Sequence, residues 1–229
     1  MANDAMIKWD QSGINARILA KEVKADFRRV EAASRKIPTA FYSPEAKRLF
    51  VRCFNSLQLN AHFISVIART RLPHAAVETV EAQLQQHLDR LAAELDKAIQ
   101  GAEALCIAHG ITSLASYDTA PLAIEVKVIS TFGRRYLELL TRVDQLMPML
   151  ETLAIDGVIG LRELDRRKAQ FKRAVRQAAG MARNVKGGLQ RRMNAQANQQ
   201  AGKRAEPNAV QAPAESALEP EGQQENLAP

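Results

Sequence analysis

Arginine is the residue whose type and spacing point most directly to chemistry in this chain. Residues 161–193, LRELDRRKAQFKRAVRQAAGMARNVKGGLQRRM, carry eleven Lys and Arg against only Glu163 and Asp165, a net +9 in a protein whose total is +7. A planar guanidinium donates two parallel hydrogen bonds to one phosphate, so an arginine-rich series suits a polyanion better than a lysine-rich one. Wound at 100° per residue, Arg162, Arg166, Arg173, Arg176, Arg183 and Arg191 share one side of a helix. Leu161, Leu164, Phe171, Val175, Ala178, Ala182, Val185 and Leu189 form a stripe on the other. Few acids stand four residues away to neutralise those arginines within the helix. Its Ala178 and Ala182 suit a neighbouring helix better than a membrane surface.

No other constellation of reactive side chains emerges. His62, His74, His87 and His109 are scattered along two helical stretches. Cys106 and His109 are three apart on one face, but no second pair has metal-ligand spacing. Cys53 and Cys106 sit inside apolar helical patterns and are expected to be reduced core thiols. Gly187-Gly188 lies near the end of a helix and is no phosphate loop. Ser43, Ser65, Ser113 and Ser130 lie outside any nucleophile motif. The expectation is a protein that is not an enzyme, with no catalytic residues, cofactor or metal.

The positioning elements follow from periodicity. MIKW at 6–9 makes at most a short strand, and a helix is predicted from Ile14 to Lys36, ended by Ile37-Pro38. Ser43-Pro44-Glu45 starts a second helix over 44–70, with Ser43 as N-cap. After Leu72-Pro73 a third runs over 74–109, with Val77, Val80, Leu84, Leu88, Leu91, Leu95, Ala98, Ala102, Leu105 and His109 as its seam and Gly110 as terminator. Residues 111–121 read as a loop. LAIEVKVI at 122–129 alternates as a strand, with Leu122, Ile124, Val126 and Val128 on one face and Ala123, Glu125, Lys127 and Ile129 on the other. Its backbone requires a partner: residues 6–9, part of 111–120, or the same strand of a second chain. A fourth helix over 131–155 contains Pro148, expected to kink it. The short connection at 156–160 makes it an antiparallel neighbour of the basic helix.

An apolar fraction of 46% with 5% aromatics favours a helical core. The fold class expected is mainly α: long antiparallel helices in a bundle with one small β element. A helical domain covers 1–195, and an acidic tail, disordered on its Ala, Gln, Glu, Asn and Pro content, covers 196–229. No internal repeat stands out. The opening MANDAMIKWD lacks the apolar run of a signal peptide, and no stretch has the length of a membrane span, so a cytoplasmic location is expected.

Strand 122–128 followed by two helices has the element order of a ribbon–helix–helix DNA-binding unit, in which two chains pair their strands and the polar strand face enters the major groove. That face presents Glu125 and Lys127 here. The segments LAIEVKVIS, YLELLTRVDQLMPMLETLAIDGVI and RKAQFKRAVRQAAGMARNVKGGLQRR resemble the corresponding part of the AcaB-like family of integrating-conjugative-element and plasmid proteins. The likeness extends more loosely over 14–193. It implies a mobile-element protein, a transcriptional regulator of conjugation genes with ribbon–helix–helix-type DNA binding. The function expected is therefore a DNA-binding regulator of an integrating conjugative element or conjugative plasmid, working as a homodimer on double-stranded DNA. Its nucleic-acid-binding residues are expected to be Arg162, Arg166, Arg173, Arg176, Arg183, Arg191 and Lys127. The alternative is a structural or adaptor protein that meets a protein partner of the conjugation apparatus.

Overall fold

The structure, a computed structural model, describes residues 32–205, with side chains through residue 201. The predicted strand at 6–9 and most of the predicted helix 14–36 lie outside this range. The described elements are β1 (Arg35–Phe41), a helical rod α1 over 44–70, α2 (His74–Ala108), β2 (Leu122–Val128), α3 (Thr131–Ile155) and α4 (Leu161–Ala205). Rod α1 is not uniform. It is α-helical over Pro44–Leu49, π-helical over Phe50–Phe54, α-helical over Asn55–His62, π-helical over Phe63–Ile67, and closes in a 3-10 turn at Ala68–Thr70.

The partner of β2 is β1, antiparallel, from Arg35↔Val128 to Phe41↔Leu122. This is not the loop 111–120 that the sequence offered; residues 6–9, another expected partner, lie outside the described residues. Arg35 and Lys36 extend a strand instead of ending a helix, and Pro38, read as a helix stop, sits at the middle of β1. A two-stranded ribbon has only edge strands, where a residue without an N–H is tolerated. The β2 faces divide as predicted: Leu122, Val126 and Val128 are buried, while Ala123, Glu125 and Lys127 are exposed.

Strand–helix–helix occurs twice, and residues 87 positions apart hold matching places. Ser43 and Ser130 are the N-caps of α1 and α3; His74 and Leu161 open α2 and α4. Pro38 faces Glu125, the residue 87 positions on, so a pseudo-twofold axis passes through that pair. Burial repeats as well: Val77 and Leu164, Leu84 and Phe171, Leu88 and Val175, Leu91 and Ala178, Leu95 and Ala182, Ala102 and Leu189, Cys106 and Met193 are all buried. The repeat is one of pattern rather than residue identity. Over α2 the seam shifts from the predicted Ala98 and Leu105 to Ile99 and Cys106. A straight helix turns every 3.6 residues, and a 3.5-residue seam drifts off its face.

The two units interlock. Arg135 meets Asp89, and Arg142 meets Asp96 at 2.6 Å, so α3 of the second unit runs parallel to α2 of the first. On the other side α4 runs parallel to α1, joined at Lys168–Glu45 (3.1 Å) and Arg183–Ser56 (3.4 Å). Antiparallel contacts complete the bundle: α1 with α2 at Arg69–Glu81, α1 with α3 at Ser43–Asp144, and α3 with α4, where Tyr136 donates to the Val175 carbonyl at 2.9 Å. Helix α3 lies between the others and buries fourteen of its 25 residues. Its helical assignment runs unbroken through Pro148. The Phe50 ring stacks on Phe54 and meets Phe41 at a tilt of 37°, both pairs with centroids 5.2 Å apart, and the series ties β1 to α1.

Asp144, buried in α3, holds the junction of β1 and α1. It accepts from the amides of Tyr42 (3.0 Å) and Ser43 (2.7 Å) and from the Ser43 hydroxyl (2.7 Å), whose own oxygen accepts from Ala46 N–H. Replacing Asp144 with Ala strands those donors in the interior. The expected loss is about 3 kcal/mol, read as a lower urea midpoint; an unchanged midpoint would contradict this role.

Candidate nucleic-acid interface

Helix α4 presents its arginines as the pattern predicts. Of the predicted stripe, Leu164, Phe171, Val175, Ala178, Ala182 and Leu189 are buried and Val185 is half-buried, while Leu161, at the first position of the helix, is exposed. Arg162, Arg166, Arg173, Arg176, Arg183 and Arg191 are all exposed. The helix extends beyond the predicted end at 193 to Ala205, so residues 196–205 are helical, and the rest of the predicted tail lies outside the described residues. From Arg162 to Arg191 the arginines spread over about 43 Å at 1.5 Å per residue.

These arginines are not equally available. Arg166 pairs with Glu163 at 2.5 Å, and the same carboxylate accepts from Arg167 at 2.6 Å. The Arg167 hydrogen bond, with both guanidinium charges, holds the Glu163 carboxyl below its ordinary range despite an opposing desolvation effect. Arg176 donates its Nε–H to the Lys172 carbonyl at 3.1 Å, and the residue is exposed. Among the described residues Arg162, Arg173 and Arg191 have no ion pair.

Lys127 stands apart from α4, on the exposed face of the ribbon. There Lys36 pairs with Glu125 at 3.3 Å. The Lys127 carbonyl accepts from the buried Gln58 amide at 2.9 Å, and Gln58 accepts in turn from Ile129 N–H at 3.0 Å. This fixes the end of β2 against α1 while the Lys127 side chain stays exposed.

The structure adds two arginines that the α4 pattern alone does not supply. Arg48 and Arg52, four apart on the outer side of α1, face Lys172 and Arg176 across a cleft of about 140 Å³ floored by Leu49 and flanked by Glu45. Their spacing was legible; their juxtaposition with α4 depends on the parallel packing of helices from different units. Further along the same seam, the Lys186 ammonium lies 5.2 Å from the centre of the Phe63 ring.

Lys168 anchors the start of this seam, between Glu45 at 3.1 Å and Glu151. Burial works against its charge, but the two carboxylates prevail and raise its pKa above the ordinary 10.5. A raised folded-state value means that the stabilisation is fully present below about pH 10.5 and lost as pH rises through the folded value. Lys168→Met is expected to lower stability by about 2 kcal/mol at neutral pH, between the effects of exposed and buried pairs. The gap from wild type closes in strong alkali; urea unfolding across pH checks both statements.

Other regions offer less. A larger cavity of about 470 Å³ between the ends of α2 and α3 is lined by His109, Thr112, Ser113, Thr152 and Asp156 among others, and gathers no cluster of cations. Among the described residues, no group of three His, Cys, Asp or Glu side chains is placed to hold a metal, and no helix is long and apolar enough to cross a membrane. Both cysteines are free and buried, and burial raises both thiol pKa values, the more inert direction.

Comparison with known proteins bears on this arrangement. A family model described as the transcriptional regulator AcaB matches residues 60–220. A crystal structure of selenomethionine-containing AcaB from uropathogenic E. coli aligns with a TM-score of 0.68 at 22% identity, covering 81% of this chain and 94% of that one. At that identity the likeness establishes the fold. No curated protein matches the chain.

Proposed function

Since the chain belongs to the AcaB family of transcriptional regulators, we propose that it is a DNA-binding, non-enzymatic regulator of an integrating conjugative element or conjugative plasmid, acting in the cytoplasm. The observation that carries the reading is the exposed arginine side of α4, opposite a buried stripe and short of carboxylate partners. Arg162, Arg166, Arg173, Arg176, Arg183 and Arg191 would contact backbone phosphates, which position a protein on a duplex without reading its sequence. Lys127, on the ribbon face with Lys36 and Glu125, would meet the major groove.

Phosphate contacts release condensed counterions, so log affinity falls with log salt by about 0.9 for each phosphate neutralised. Fluorescence anisotropy with a duplex from the native element is expected to give a steep negative slope. The triple variant Arg162→Gln, Arg173→Gln, Arg191→Gln removes three arginines that have no ion pair among the described residues. Its slope should be shallower by about 2.7 if each neutralises one phosphate. Absence of binding even at low ionic strength, or a salt-independent affinity, would remove DNA as the partner.

A further inference from the structure

The pseudo-twofold relation allows the two parallel helix seams to be compared residue by residue. In the α2–α3 seam, carboxylates from α2 meet guanidiniums from α3 at Asp89–Arg135 and Asp96–Arg142. Subtracting 87 from the α3 position and adding 87 to the α2 position gives the α1–α4 counterparts. Arg135 becomes Arg48, and Asp89 becomes Arg176. Arg142 becomes Asn55, and Asp96 becomes Arg183. Both acids have become arginines. The arginine that needed the first acid is retained as Arg48, and Arg52 and Lys172 are added around it.

The resulting cleft has four cations and one carboxylate. That carboxylate, Glu45, is already engaged by Lys168 at 3.1 Å. Arg48, Arg52, Lys172 and Arg176 have no ion pair among the described residues. Lys172 is half-buried and the three arginines are exposed, so like charges gather at the cleft while their donors remain accessible. One seam supplies its own anion; the other presents the same kind of guanidinium with the anion replaced by more cations.

We propose that the α1–α4 cleft is a phosphate-binding subsite in which a phosphate group takes the place that Asp89 takes in the α2–α3 seam. Arg48 and Arg176 hold it from opposite helices, with Arg52 and Lys172 adding charge-assisted donors. The cleft volume, about 140 Å³, suits one such group rather than an extended polyanion. The phosphate chemistry stands on the cleft alone. Its assignment to a DNA backbone rests on the proposed function and would make α1 a second wall of that interface. A free phosphorylated small molecule would offer the same group.

The discriminating variant is Arg176→Asp, which restores the acid found at the matching position of the other seam. In the full-length chain it should pair with Arg48 and leave the thermal midpoint at or above wild type. Calorimetric titration with pyrophosphate at low ionic strength should give saturable binding to wild type, weakened about tenfold or more in Arg176→Asp. Arg90→Asp, the same charge change at an exposed site on α2, should bind as wild type. For duplex DNA, Arg48→Gln/Arg52→Gln should make the salt slope shallower by about 0.9, the contribution of one phosphate. Pyrophosphate binding together with the shallower slope supports the backbone source. Pyrophosphate binding with an unchanged slope, or with no duplex binding by wild type, supports the free-ligand source and leaves the DNA reading to its own test. A shallower duplex slope without pyrophosphate binding supports a subsite filled only by the backbone. If the variants alter neither pyrophosphate binding nor the duplex slope, the proposal is overturned.

Discussion

The pairing of β1 with β2 is the constraint on which the bundle depends. A strand buried on one face needs partners for its backbone groups, and this chain supplies them from 81 residues upstream of Leu122 at Phe41. The register places Pro38 opposite Glu125 and brings the starts of α1 and α3 to related positions. Each unit's second helix can then cover the other unit's first, α2 on α3 and α4 on α1. Asp144 links these levels because one buried carboxylate on α3 accepts the donors that start α1. The arginine side of α4 is outward because its opposite side completes this interlock.

Much of this was legible in the residues. The helix beginning at Ser43-Pro44, the seam from Val77 to Ala102, the alternation of Leu122 to Val128 and the stripe along α4 all follow from side-chain period. Such patterns state which face is buried but not what covers it. The partner of β2 was therefore missed. Pro38 carries a strong local signal against helix, and the chain around it reads equally well as a helix end or an edge strand until the opposite strand is known. The repeat was missed for a related reason. Leu88 matches Val175 and Leu91 matches Ala178 in burial, yet their identities differ, so the relation shows in element positions and burial rather than in residue types.

The interface shows the same division. Arg173 and Arg183 could be assigned to an exposed face from α4 alone, whereas Arg48 and Arg52 gain their meaning from a neighbour in the other unit. Helical periodicity is a property of one element. A cleft between two parallel helices is a property of packing, and charge on its far wall cannot be assigned from either helix by itself.

Building both units into one polypeptide has a genetic consequence. In an assembly of identical chains, every substitution is written into both halves at once, so an arginine gained on one side is imposed on its mirror image. Here position 89 can keep Asp while position 176 carries Arg. One seam can be held for internal cohesion while the other diverges, and the paired scaffold acquires a distinguishable left and right within a single gene product.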